Sequence, residues 1–124
     1  MRNISFALTT EQFIAGTKDV TRRMGWANLK AGDLLCGVKK GMGLRPGEQI
    51  ERLGVIEVVS ATKEPLRRMT DDLDYGFAEC IREGFPPPHR CSWPSEFVTF
   101  FCGSHIGCTP ENVVTRIEFR KVVS

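Results

Sequence analysis

The chain has 124 residues, one domain's worth, and its 17 Lys/Arg against 15 Asp/Glu leave a formal net charge of +2. Residues of the AVILMFWYC group make up 41%, with eight Phe among them, so there is a core to bury and disorder is excluded. The length leaves no room for a separate dinucleotide-binding domain, no apolar run approaches the ~18 residues of a membrane span, and the apolar stretch near Met1 is too short for a signal peptide. Residues 1–62 hold nine Lys/Arg against six Asp/Glu and residues 63–124 hold eight against nine. That balance leaves nucleic acid no more than a local basic patch.

Ile4, Phe6 and Leu8 alternate with Asn3, Ser5 and Ala7, which is the period of a first strand. Thr9-x-x-Gln12 reads as a capping box for a short helix carrying Phe13 and Ile14, and Gly16 suits a left-handed helix end. Thr17 to Arg23 is polar and β-branched, and Met24-Gly25-Trp26 follows. Leu29 to Asp33 is a turn into a buried strand, Leu34 to Val38. Lys39 to Glu48 is a Gly/Pro loop carrying Lys39, Lys40 and Arg45. Its Gly41-x-Gly43 lacks the third glycine of a dinucleotide loop and the Gly-Lys-Ser/Thr of a P-loop. Ile50 to Ala61 reads as one or two strands around Gly54, with a break at Pro65. Asp71 or Asp72 caps a helix whose Leu73, Phe77, Cys80 and Ile81 recur at helical spacing. Gly84 and Pro86-Pro87-Pro88 end it. Ser92 before Trp93-Pro94 starts another helix, with Phe97, Phe100 and Phe101 on its buried side and an end near Gly103 or Gly107. Thr115, Ile117 and Phe119 alternate with Arg116, Glu118 and Arg120, a last strand with one wet face. This order predicts an α+β fold: a small mixed β-barrel with flanking helices, as a single domain over 1–124.

Five cysteines, an odd count without a signal peptide, point to reduced thiols in a cytoplasmic protein. Cys102-x-x-His105-x-x-Cys108 is the densest group, but it fits no standard zinc spacing. Cys102 continues the apolar Phe100-Phe101 run, so these read as core cysteines, with no metal and no cofactor expected.

The segment Gly16-Thr17-Lys18-Asp19-Val20-Thr21-Arg22-Arg23 resembles the signature of the ASCH domain, a branch of the PUA-like superfamily. Leu29-Lys30-Ala31-Gly32-Asp33, Ile56-Glu57-Val58, Arg82-Glu83-Gly84-Phe85, Glu96-Phe97 and Arg116-Ile117-Glu118-Phe119 resemble its later motifs in order, over nearly the whole chain. The resemblance implies a PUA-like barrel with a cleft for RNA or a modified nucleoside, as found in small stand-alone bacterial and phage members. Some members are amidohydrolases that deacylate N4-acetylcytidine with a Lys, a Thr and a distant Glu. Lys18 and Thr21 match the first two, and Glu83 maps onto the third. Other members are reported as ribonucleases.

In that role Thr21 supplies a hydroxyl nucleophile and Lys18 a base, whose pKa must be depressed. Burial and the neighbouring Arg22 and Arg23 push it that way. Glu83 either protonates the leaving amine or orients Lys18. An offset of three puts Lys18 and Thr21 on opposite faces of a strand, so the site needs a bend after Gly16. Arg22 or Arg23 is a candidate for a phosphate or base edge, and Trp26 for stacking on a base. Lys39 and Lys40 extend the basic surface. His105, near a helix end, reads as a cap. The expected function is binding of RNA or a nucleoside in the cleft. Amide hydrolysis, RNA cleavage and a non-enzymatic scaffold stand as alternatives. A ligand-sized cleft favours the hydrolase, and a continuous basic groove favours RNA.

Overall fold

The computed structural model describes residues 1–41 and 43–122; Met42, inside the predicted basic loop, and Val123 and Ser124 lie outside them. Five strands build one sheet: β1 (Arg2–Ser5), β2 (Val20–Arg23), β3 (Leu34–Val38), β4 (Arg52–Pro65) and β5 (Val113–Lys121). Their order is β1-β3-β4-β5-β2, so β1 and β2 are the two edges of a sheet that curls into a half-barrel. Only β1 and β3 run parallel. Four α-helices flank the sheet: α1 (Thr10–Ala15), α2 (Arg68–Asp71), α3 (Leu73–Arg82) and α4 (Pro94–Gly103). A 3-10 turn, Arg90–Ser92, precedes α4. The α+β class and the small-barrel expectation both hold.

Strand β4 makes the curl. It pairs with β3 through residues 52–57 and with β5 through residues 56–65, and the register shifts between Val58 and Ser60. An extra residue on one side of a ladder bends the strand and adds twist, so one long strand serves both neighbours. The predicted one-or-two-strand segment is thus a single strand, running past Ala61 to Pro65.

The inner face of the curl holds Ile4, Phe6, Phe13, Leu35, Ile56, Val58, Ile117 and Phe119. Phe13 of α1 plugs it, stacked on Phe6 at 4.5 Å and 6.1 Å from Phe119. Gly37 makes room for that plug, because a Cβ there would lie 2.9 Å from the Phe13 ring. A second core joins the helices: Leu66, Met69, Cys80, Phe85, Cys91, Phe97, Val98, Phe101 and Val114.

Several local expectations change. Thr9 sits at the α1 N-cap but its side chain makes no capping bond; Thr10 Oγ1 instead donates to the Phe6 carbonyl at 2.7 Å. Gly16 does close α1 with φ 76°. Asp72, not Asp71, caps α3 by accepting from the Tyr75 amide. Trp93, not Ser92, occupies the cap position before α4. On α3 the stripe Leu73, Phe77 and Ile81 faces outward, 55%, 39% and 48% exposed, while Gly76, Glu79 and Cys80 are buried. The predicted wet face of β5 is partly covered, since Arg116 pairs with Glu79 of α3. Among the described residues no helix is long and apolar enough to cross a membrane.

Candidate functional site

The half-barrel does not close between its edges. Into the seam between β1 and β2 opens a cavity of about 250 Å³. Ser5 to Thr9 line one side, and Lys18, Thr21, Arg22, Arg23 and Glu83 another. Phe85, Phe97, Phe100, Phe101 and His105, brought by the helical layer, make an aromatic wall. Across the seam Arg23 donates to the Ser5 carbonyl at 2.6 Å.

Lys18 and Thr21 reach one cavity because Lys18 precedes the strand. After Gly16 the chain bends: the Thr17 amide bonds the Gln12 carbonyl. Asp19 is then pinned by its amide to the Arg82 carbonyl and by its carboxylate to the Arg82 guanidinium. Strand β2 begins only at Val20. Lys18 therefore points at the C-terminal end of α3, where Glu83 sits. Gly84, at φ 104°, lets the chain pass there; a Cβ on it would lie 3.0 Å from Gln12 and 3.4 Å from Lys18.

Lys18, Thr21 and Glu83 are 5%, 3% and 3% exposed. Lys18 Nζ donates to the Glu83 carbonyl at 2.7 Å and to Glu83 Oε1 at 3.0 Å. Burial lowers the Lys18 pKa below the ordinary lysine value. The Glu83 charge and hydrogen bond pull the other way, while Arg23 and Arg22 add to the lowering. A neutral amine has two hydrogens and one lone pair. With both hydrogens on Glu83, the lone pair projects away from it. Glu83 thus fixes the direction of the Lys18 amine.

Arg22 is spent on carboxylates. Its side chain is fully buried and bonds Glu83 at 2.9 Å, Glu79 at 2.6 Å, Glu64 at 3.3 Å and the Tyr75 hydroxyl at 3.1 Å. Its Nε is buried without a hydrogen-bond partner among the described residues. Arg22 thus fixes Glu83 rather than offering a fork to a ligand. Burial disfavours its charge, but Glu83 and Glu79 outweigh that and raise its pKa. Burial would raise the Glu79 carboxyl, yet hydrogen bonds from Arg116 and Arg22 bring it down to about 2. Tyr75 is pushed up to about 12, first by burial and then by donating to Glu64.

Arg23 is the cation that serves the cavity. Its Nε donates to Thr21 Oγ1 at 3.0 Å, and its guanidinium lies 5.2 Å from the Phe6 ring. Burial brings its pKa down to about 10, against the Glu83 charge. Thr21 Oγ1 has, among the described residues, no acceptor for its own proton.

The structure thus gathers Lys18, Thr21, Glu83 and Arg23 and leaves three predicted ligand contacts elsewhere. Trp26 packs against the sheet core under the Arg2 guanidinium, 4.1 Å from its centroid. Lys39 and Lys40 line a separate depression of about 280 Å³, where Lys40 pairs with Glu48 at 3.6 Å. Sequence reasoning missed the aromatic wall. Phe97, Phe100 and Phe101 read from the sequence as core, which they join with Phe85, but all four also line the cavity. His105 donates from Nδ1 to the Phe101 carbonyl at 2.8 Å, the capping role expected, but it also faces the cavity. The carboxylate network had one visible signal. Glu79 and Glu83 lie four apart on a helix, a repulsive pair unless cations stand opposite. Among the described residues no three His, Cys, Asp or Glu side chains gather as a metal centre.

No protein-family model and no curated protein matches this sequence. Among solved structures the chain is similar to protein EF3133 from Enterococcus faecalis V583, described as DUF984, at 16% identity and a TM-score of 0.56. The likeness covers 93% of this chain and 70% of that one. At that identity the likeness carries the fold: a small curled-sheet barrel with flanking helices is shared with a DUF984 protein.

Proposed function

We propose that the seam cavity binds a single nucleobase-containing ligand and that the chain is a metal-independent amidohydrolase of the ASCH type, acting on an N4-acylated cytosine nucleoside. The observation that carries this is the convergence of Lys18, Thr21 and Glu83 on one side of a cavity walled by aromatic rings. At about 250 Å³ the cavity is below the ~300–1,000 Å³ of drug-sized sites, which suits one base rather than a strand. Planar rings stack on aromatic side chains in any sequence context.

Neutral Lys18 takes the Thr21 proton, and the Thr21 oxygen attacks the acyl carbon. Arg23, bonded to that oxygen, favours its negative charge. As the intermediate collapses, the C–N bond breaks and the Lys18 ammonium returns its proton to the departing amine. Water, deprotonated by the same lysine, then attacks the threonyl ester; the ester C–O bond breaks and the Lys18 ammonium returns that proton to the Thr21 oxygen. The net reaction is amide plus water to acid plus amine.

The test is incubation of pure protein with N4-acetylcytidine, with cytidine followed by chromatography. Wild type should release cytidine, Thr21→Val should be inactive, and Lys18→Ala should lose about 100-fold or more. Absence of turnover at high enzyme concentration would sink the hydrolase reading. Titration of the same nucleoside into the protein then decides whether the cavity binds without turning over.

A further inference from the structure

Two thiols at the C-terminal end of α4 play no part in the chemistry above. Cys102 Sγ and Cys108 Sγ lie 2.8 Å apart, and both residues are half-buried. The chain folds back to bring them together. The His105 amide bonds the Cys102 carbonyl, the Cys108 amide bonds the His105 carbonyl, and Gly107 takes φ 76°. Ser104 and His105, both lining the cavity, lie between the two sulfurs in the chain. His105 stacks on Phe101 at 4.3 Å, and Ile106 beside it is fully exposed, so a solute reaches this turn from outside.

We propose that Cys102 and Cys108 are a redox site: they form a reversible disulfide that clamps the His105 wall of the cavity, with a small-molecule disulfide such as oxidised glutathione as oxidant. A disulfide needs its sulfurs at about 2.05 Å, so closure asks for a movement of less than about 1 Å. The bridge therefore locks the wall where it already stands. Burial, and then the hydrogen bond between the two sulfurs, push the Cys108 thiol up to about 11. The thiolate of one of the two cysteines attacks one sulfur of the oxidant and expels one glutathione thiolate. The other then loses its proton, attacks the mixed disulfide on its neighbour and expels the second. Two protein thiols are oxidised, one glutathione disulfide is reduced to two thiols, and two protons are released. The proposal stands on the cavity wall, whichever ligand fills it.

The test equilibrates the whole protein with oxidised glutathione and titrates free thiols after denaturation. The five thiols of the chain should fall to three, with differential alkylation placing the bridge on residues 102–108. Cys102→Ser and Cys108→Ser should each show by intact mass four thiols, or three and one glutathione adduct, and no internal bridge. Five remaining thiols, a stable mixed disulfide on wild-type Cys102, or loss of two thiols in either variant overturns the pairing. Amide exchange at His105 and Cys108 should slow about tenfold in the oxidised protein; equal rates in the two forms would overturn the clamp. Neither readout depends on turnover, so failure of the hydrolase reading is distinguishable from failure of this one.

Discussion

At the scale of single residues the molecule turns on Glu79 and Glu83. Both sit on the buried side of α3 or its end, and both are held by Arg22. Removing one partner of a buried pair strands the other's charge, so Glu79→Ala should cost about 3–5 kcal/mol in urea unfolding. The Glu79 carboxyl falls from an ordinary 4.5 to about 2 on folding. Its stabilisation is complete above the unfolded value and is lost as pH falls toward the folded one. The urea midpoint should therefore drop between pH 4.5 and about 2, and a Glu79→Gln variant, already weaker at neutral pH, should drop less over that window. Lys18 works with the opposite charge. In the proposed reaction its neutral form is the base, so kcat/KM should rise with pH through one ionisation below the ordinary lysine value of 10.5. Glu83→Gln removes the attraction that partly restores that value, which shifts the limb to lower pH.

At the scale of elements, α3 shows both what the sequence makes legible and what it hides. Its existence, its Asp72 cap and its end before Gly84 follow from local chemistry. Which face it buries does not. Leu73, Phe77 and Ile81 recur as a core stripe should, yet face outward, with Trp93 packed edge-on to Phe77 at 5.4 Å. The buried face carries Glu79 and Cys80 because Arg22 and Arg116 approach from β2 and β5, partners that are 57 and 37 residues away in sequence. The cavity hides for the same reason. The ASCH-like motif singles out Lys18, Thr21 and Glu83, but nothing local says that Phe85 and His105 will face them. Gly76 gives a prediction of counterintuitive sign. Gly→Ala inside an exposed helix usually stabilises by about 0.5–1 kcal/mol. Here a Cβ would strike the Met69 carbonyl and lie 2.8 Å from the Pro94 ring. Gly76→Ala should therefore destabilise by about 1–3 kcal/mol, read from thermal or urea unfolding.

At the scale of the whole molecule, two cores, one inside the curled sheet and one among the helices, share the buried Arg22 network between them. Two tryptophans report on them separately. Trp26 packs on the sheet core, and Trp93 lies against α3. If the network welds the halves, Trp26→Phe and Trp93→Phe variants should show the same unfolding midpoint by fluorescence and by far-UV dichroism; separated midpoints would mean two cooperative units. The unclosed seam has a consequence of another kind. A strand with free backbone groups is a template on which other chains can add, the usual beginning of edge-to-edge association. Here the Arg23 guanidinium occupies the Ser5 carbonyl, an acceptor on the β1 edge. A foreign strand adding to β1 would first have to displace that guanidinium, so the contact across the seam guards this border of the sheet against self-association.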